Sequence, residues 1–177
     1  PADYYRHTEV LGGGTLVEFF FLDTLPLVRA DDGLMARLLE TGAAEQLSWL
    51  NAALAESKAT WKLVVGHHPV FSGGPHGNTP ALVAVLKPLF DLHHVTAYIN
   101  GHDHNLQHVI VDRVSYLTCG AGSEARLLPH PEAAAFSAAV PGFMLVKMTP
   151  TAMLLTFLDA QAQALYTAIL HPSTTGH

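Results

Sequence analysis

The sequence carries a single cysteine, Cys119, among its 177 residues. It can therefore form no internal disulfide and no zinc site built from cysteines. Charge is scarce as well, at 14% of residues, with 9 Lys+Arg against 15 Asp+Glu and a net charge of −6. A chain so poor in cations lacks the basic footprint of a nucleic-acid binder or of a protein held on anionic membranes. Its longest apolar stretch, residues 16–28, is interrupted by Glu18, Asp23 and Pro26, so no segment reads as a bilayer span. Internal repeats and low-complexity tracts are missing. So are an initiator Met and a signal-peptide pattern at Pro1, which leads us to expect a processed or partial chain.

What is present points to one globular unit. Apolar residues make up 49% of the sequence, ample for a core, and the length suits one domain. Histidine is the exception to ordinary composition. The 12 histidines outnumber all Lys and Arg together, and eight of them lie between His67 and His108.

The pattern predicts alternating strands and helices, then strands alone. Residues 15–22 (TLVEFFFL) read as a buried strand after the Gly12-Gly13-Gly14 breaker. Residues 23–42 read as a surface loop with one helical turn. Residues 43–57 place Leu47, Leu50 and Leu54 on one face of an amphipathic helix. A strand at 61–66 follows, then a helix opened by Thr79-Pro80 in which Pro88 should cause a kink or break. A strand at 95–100 precedes a hairpin of 106–111 and 114–118 around Asp112-Arg113. Segments 143–148, 152–158 and 164–170 form an antiparallel meander. The fold class is α/β with a mixed sheet.

Two segments share one design, an apolar strand followed by glycine and histidine: Val64-Val65-Gly66-His67-His68-Pro69 and Ile99-Asn100-Gly101-His102-Asp103-His104-Asn105. Functional groups of open α/β sheets gather beyond the carboxyl ends of strands. Each glycine is expected to let the backbone turn there. His102 and His104 would share a face if the chain stayed extended. His67 and His102 are 35 residues apart, room for one helical crossover between neighbouring parallel strands. Three imidazoles at adjacent strand ends read as a metal site.

These residues also carry a resemblance. VVGHHPVFSGG, PHGNTP, LFDLHHVTAYINGHDHNLQHV and SYLTCGAGS, with FFFLDT and AEQLSWLNAAL before them and GFMLVKM after, resemble the C-terminal part of the calcineurin-like metallophosphoesterases. Within these, the tartrate-resistant and purple acid phosphatase branch is most similar. The resemblance implies that residues 1–177 are the second half of an αββα sandwich of mixed and antiparallel strands. It implies hydrolysis of phosphomonoesters, in the complete enzyme, by hydroxide activated at a pair of metal ions (iron with iron, zinc or manganese). His67 and His102 would then bind one metal and His104 the other. His76, in the Pro75-His76-Gly77 stretch, would contact substrate phosphate and protonate the leaving oxygen; an imidazole does so more readily in acid, below its ordinary pKa near 6.5. His68 would line the pocket and touch substrate.

The same resemblance implies an upstream half with Gly-Asp-x-Gly, Gly-Asp-x-x-Tyr and Gly-Asn-His-Asp/Glu motifs, and this sequence contains no Gly-Asp at all. Without the carboxylate that bridges two cations, this chain is expected to bind one metal weakly at most and to turn over little. Self-association through exposed sheet is expected too, with secretion, the periplasm or the lysosome as the compartment. Other phosphoesterase activity (diesterase or nucleotidase) and a non-catalytic metal- or partner-binding module are the competing readings. Among the remaining residues, His93-His94 read as helix-end structure, His108 as an exposed strand residue, and Asp103 as a supporting or solvated group. Asn100 and Asn105 read as turn residues and Cys119 as a small buried one, while Asp31-Asp32 read as a solvated loop pair.

Overall fold

The computed structural model describes residues 3–28 and 42–173. The expected loop around Asp31-Asp32 and the terminal His177 lie outside the described residues. A seven-stranded mixed sheet forms the centre, in the order β1-β2-β3-β4-β6-β5-β7. Its strands are β1 (Tyr5–Val10), β2 (Leu16–Phe21), β3 (Trp61–Val65), β4 (Ala97–Asn100), β5 (Leu106–Val111), β6 (Val114–Cys119) and β7 (Phe136–Ala138). Pairings β2–β3, β3–β4 and β4–β6 are parallel; β1–β2, β5–β6 and β5–β7 are antiparallel. The helices are α1 (Leu25–Val28), α2 (Ala43–Glu56) and α3 (Pro80–Leu92). Helices α2 and α3 are the crossovers between β2, β3 and β4, as parallel pairing requires. A second sheet, in the order β10-β9-β8, is the meander of β8 (Gly142–Met148), β9 (Met153–Asp159) and β10 (Ala164–Leu170).

Alternation along the central strands divides the core in two. One face sends Phe20, Val64, Tyr98 and Tyr116 against Leu50 and Leu54 of α2 and Leu82, Leu86 and Phe90 of α3. The other sends Val17, Trp61, Leu63, Ala97 and Leu117 against Met153, Leu155 and Phe157 of β9. The layers are thus helix, sheet, sheet. Trp61 Nε1 donates to Thr149 O at 3.1 Å and ties the two sheets together.

The structure departs from the sequence expectations at several points. Helix α3 runs through Pro88 unbroken, because both Pro88 and Ala84, whose carbonyl loses its amide partner, are solvent-exposed while Leu86 and Phe90 anchor the buried face. His108 is buried, at 1% exposure, not exposed; its Nδ1 pairs with Tyr166 Oη at 3.2 Å and its Nε2 with Ser115 Oγ at 3.0 Å. Of the two readings of Asp103, supporting or solvated, its full burial leaves the supporting one. Strands β1 and β7 were not anticipated: β1 is exposed along its whole length, and β7 is three residues, so neither shows a hydrophobic signature.

Candidate metal centre

Parallel pairing of β3 and β4 continues past the strands, with Gly66 N donating to Ile99 O at 3.0 Å and Gly101 N to His67 O at 3.2 Å. This seats the two histidine loops side by side. The glycines work differently from expectation. Neither Gly66 nor Gly101 has a positive φ; the left-handed residue is His102, at φ 65°. Gly66 is needed because a Cβ there would collide with Tyr98 Oη and Thr24 Cγ2.

The left-handed turn at His102 brings its Nδ1 to 3.0 Å from His67 Nε2. His68 joins them, and one nitrogen from each of His67, His68 and His102 lies within 4.8 Å of the others. Ring centroids are 5.0 Å apart for His67–His102, 4.6 Å for His68–His102 and 4.3 Å for His76–His102. His104 stands apart from this group. The same φ that turns His102 inward breaks the extended alternation on which a shared face depended, and His104 Nδ1 pairs with Glu124 at 2.8 Å. Arg126 closes that arrangement, its Nη2 donating to Glu124 at 2.7 Å.

Each imidazole is held by a distinct support. His68 Nδ1 pairs with Thr24 Oγ1 at 2.8 Å, its amide donates to the same oxygen at 3.2 Å, and its carbonyl accepts from Tyr98 Oη at 2.7 Å. Thr24 is placed in turn by buried Gln46 of α2, which clasps the Asp23 backbone at 2.9 and 2.8 Å. His76 Nδ1 donates to Asp103 at 2.5 Å. The other Asp103 oxygen accepts from Ser72 Oγ, which accepts from Gly74 N and Gln107 Nε2, both at 2.9 Å. Gln107 also accepts from Gly73 N at 2.8 Å. These polar residues, invisible to hydrophobic patterning, lock the His76 loop onto the His102–Asn105 turn. The signal available in sequence was the Ser72-Gly73-Gly74 run, since a Cβ at Gly74 would strike Asp103 and Asn105.

Electrostatics favours neutral rings. Burial pushes the His68 pKa down to about 4, assisted by repulsion from His102 and His67. Burial and then His76 and His67 lower that of His102. Neutral imidazole is the metal-binding form. A cleft at the opposite end of β3, lined by Lys58, Lys62, His93 and His94, gathers no comparable set. Lys62 Nζ is spent there on Leu54 O and His93 O at 3.3 and 3.0 Å, and His93 pairs with Asn51.

The donor chemistry fits one cation rather than a pair. Among the described residues the converging group is three nitrogens with no carboxylate, and Asp103 is consumed by Ser72 and His76.

Comparison with known proteins agrees with this architecture. Residues 7–106 match the family described as calcineurin-like phosphoesterase. The chain is similar to tartrate-resistant acid phosphatase type 5 of Sus scrofa, 34% identical over 94% of this chain and 54% of that protein. It is also similar to purple acid phosphatase 4 of Arabidopsis thaliana, 35% identical over 85% of this chain and 49% of that protein. The chain thus spans about half the length of the curated relatives it matches. Among solved structures it overlays on purple acid phosphatase PPD1 of yellow lupin, with TM-score 0.74 and 16% identity over 95% of this chain and 32% of that one. It also overlays on GAP50, the anchor in the inner membrane complex of Plasmodium, with TM-score 0.80 and 23% identity over 97% of this chain and 54% of that one.

Proposed function

From the premise that this chain belongs to the calcineurin-like phosphoesterase family, we propose that it supplies the histidine-bearing part of a phosphomonoester-hydrolysing site. The observation that carries this reading is the convergence of His67, His68, His76 and His102 beyond the ends of β3 and β4. Its relatives named as acid phosphatases supply the substrate class. The expectation that residues 1–177 are the second half of the parental domain, and that His104 serves a second metal, belongs to the same proposal.

These imidazoles would hold a divalent cation, and the chemistry it would supply is Lewis-acid charge toward phosphate. The protein residues do the rest. Imidazole donors bring no negative charge, so the charge of a bound cation would stay uncompensated, which favours a phosphate dianion. His76 has its Nδ1 committed to Asp103, leaving Nε2 to hold or pass a proton at the leaving oxygen. His68 is fixed at ring, amide and carbonyl beside His102.

The test is hydrolysis of p-nitrophenyl phosphate by this chain with added iron, zinc or manganese. It is run alone and with a polypeptide carrying the part of the pig relative that this chain does not span. We expect no turnover above the metal blank alone, and turnover on complementation that His76→Ala reduces. Robust turnover by the chain alone, or none after complementation, overturns the reading. Bis(p-nitrophenyl) phosphate and nucleoside monophosphates in the same assay separate diesterase and nucleotidase activities. The absence of a carboxylate from the histidine group, among the described residues, favours one second reading for the isolated chain: a non-catalytic metal-binding module.

A further inference from the structure

We propose that Thr24 is a positioning residue for His68: its hydroxyl donates to Nδ1 of that ring, so that Nε2 carries the hydrogen and His68 presents a fixed N–H donor to a phosphate oxygen. The ligand rests on the phosphomonoester reading, which the proposal deepens by giving two neighbouring histidines opposite tautomers and separate roles.

A buried hydroxyl proton needs an acceptor, and here it has one place to go. Thr24 is 1% exposed, and among the described residues its Oγ1 meets two partners, both on His68. The His68 amide, at 3.2 Å, can only donate. Nδ1, at 2.8 Å, is therefore the acceptor of the Thr24 hydrogen. A neutral imidazole whose Nδ1 accepts carries its own hydrogen on Nε2. Among the described residues that Nε2 has no partner, and it is not enclosed. The pairing is held from both sides: buried Gln46 clasps the backbone of Asp23, next to Thr24, and Tyr98 Oη holds the His68 carbonyl. His68 stands 4.6 Å and His76 4.3 Å from the His102 ring. His76 is wired the other way, giving its Nδ1 hydrogen to Asp103. The two rings beside His102 thus differ in kind. Phosphate oxygens of a dianion only accept, which suits the N–H of His68. A proton bound for the leaving oxygen needs a nitrogen that takes it up and releases it, which suits His76. Of the three nitrogens that converge, this makes the one on His68 a donor and leaves those of His67 and His102 to face a cation.

Long-range 1H–15N spectra of the imidazoles, recorded on the chelator-treated chain at pH 7.5 before and after addition of inorganic phosphate, test this. We expect His68 as the Nε2–H tautomer, with phosphate shifting its Nε2 signal more than its Nδ1. Thr24→Val keeps the shape and removes the hydroxyl. It should turn His68 into a mixture of tautomers and weaken phosphate binding about tenfold, and Thr24→Ser should restore both. A parent His68 with its hydrogen on Nδ1, a tautomer unchanged in Thr24→Val, or an Nε2 signal that phosphate leaves unmoved would each overturn the proposal. The parent spectra decide the matter even where Thr24→Val fails to fold. Tautomer and phosphate shift are read without turnover, so failure of hydrolysis in the complemented assay and failure of this assignment are seen separately.

Discussion

Asp103, wholly buried, accepts the Nδ1 proton of His76 at 2.5 Å, although the His76 ring itself is half open to solvent beside His102. The exposed imidazole therefore takes its orientation from an interior carboxylate. That carboxylate is itself held by Ser72 and, through Ser72, by Gln107.

Removing this carboxylate leaves Ser72 and His76 without their acceptor. Asp103→Ala should cost about 1–3 kcal/mol of stability, read as a lower urea midpoint, and Asp103→Asn less because it keeps the volume and one acceptor oxygen. Imidazole 15N shifts should show His76 as the Nδ1–H tautomer in the parent chain and as a mixture in Asp103→Ala. An unchanged tautomer would show that Asp103 does not orient the ring.

Much of this fold could be read from pattern because its central strands are buried on both faces and its helices carry one apolar stripe. The run at 15–22 and the segment at 61–66 fall on β2 and β3 within a residue or two. Strand β1 escaped because an exposed edge strand has no burial to enforce alternation. His67 and His102 were legible from glycine-histidine at strand ends. His68 was legible as a pocket residue beside His67, but not its support, since the sequence alone does not reveal Thr24, brought from 44 residues away to hold its ring. His104 does not share a face with His102, because the extended backbone that would align them gives way to the left-handed turn at His102. Burial of His108 depended on Tyr166, which arrives from the other sheet.

The two strand-end glycines should respond differently to a methyl group. In Gly66→Ala the new Cβ meets Tyr98 Oη and Thr24 Cγ2, both supports of His68. We expect a loss of about 1–3 kcal/mol, as for overpacking, together with weaker phosphate binding. In Gly101→Ala the Cβ has no neighbour within 4 Å and the backbone is not left-handed, so stability should be nearly unchanged. Paired thermal melts and phosphate titrations of the two variants check the contrast. Equal effects would show that space at Gly66 is not what the glycine provides.

The second sheet has an apolar outer face. Phe143 and Leu145 of β8 and Ile169 of β10 are 46%, 45% and 59% exposed, and on β9 Leu158 lies opposite Phe143 and Leu154 opposite Ile169 in register. Such a face favours association. Sedimentation of the chain should show concentration-dependent self-association, and Leu145→Glu with Ile169→Glu should weaken it about tenfold or more, about 1.4 kcal/mol. If the double variant associates as the parent does, the contact lies elsewhere.

Acid should destabilise the metal-free chain well before its carboxylates titrate. Burial lowers the pKa of His108, and burial with neighbouring imidazoles lowers that of His68 to about 4. In the unfolded chain both return to about 6.5. Over that interval the unfolded state binds more protons than the folded one, so stability is whole above about pH 6.5 and drains away as pH falls toward 4. The urea midpoint should therefore be lower at pH 5 than at pH 7.5, with chelator present so that metal does not compete with protons. His108→Gln removes one of these titrations and keeps an amide to meet Ser115 and Tyr166. It should be less stable than the parent at pH 7.5 yet show a shallower decline into acid. A parent midpoint that holds steady or rises between pH 7.5 and 5 would mean that these rings bind protons in the fold as readily as they do in the open chain.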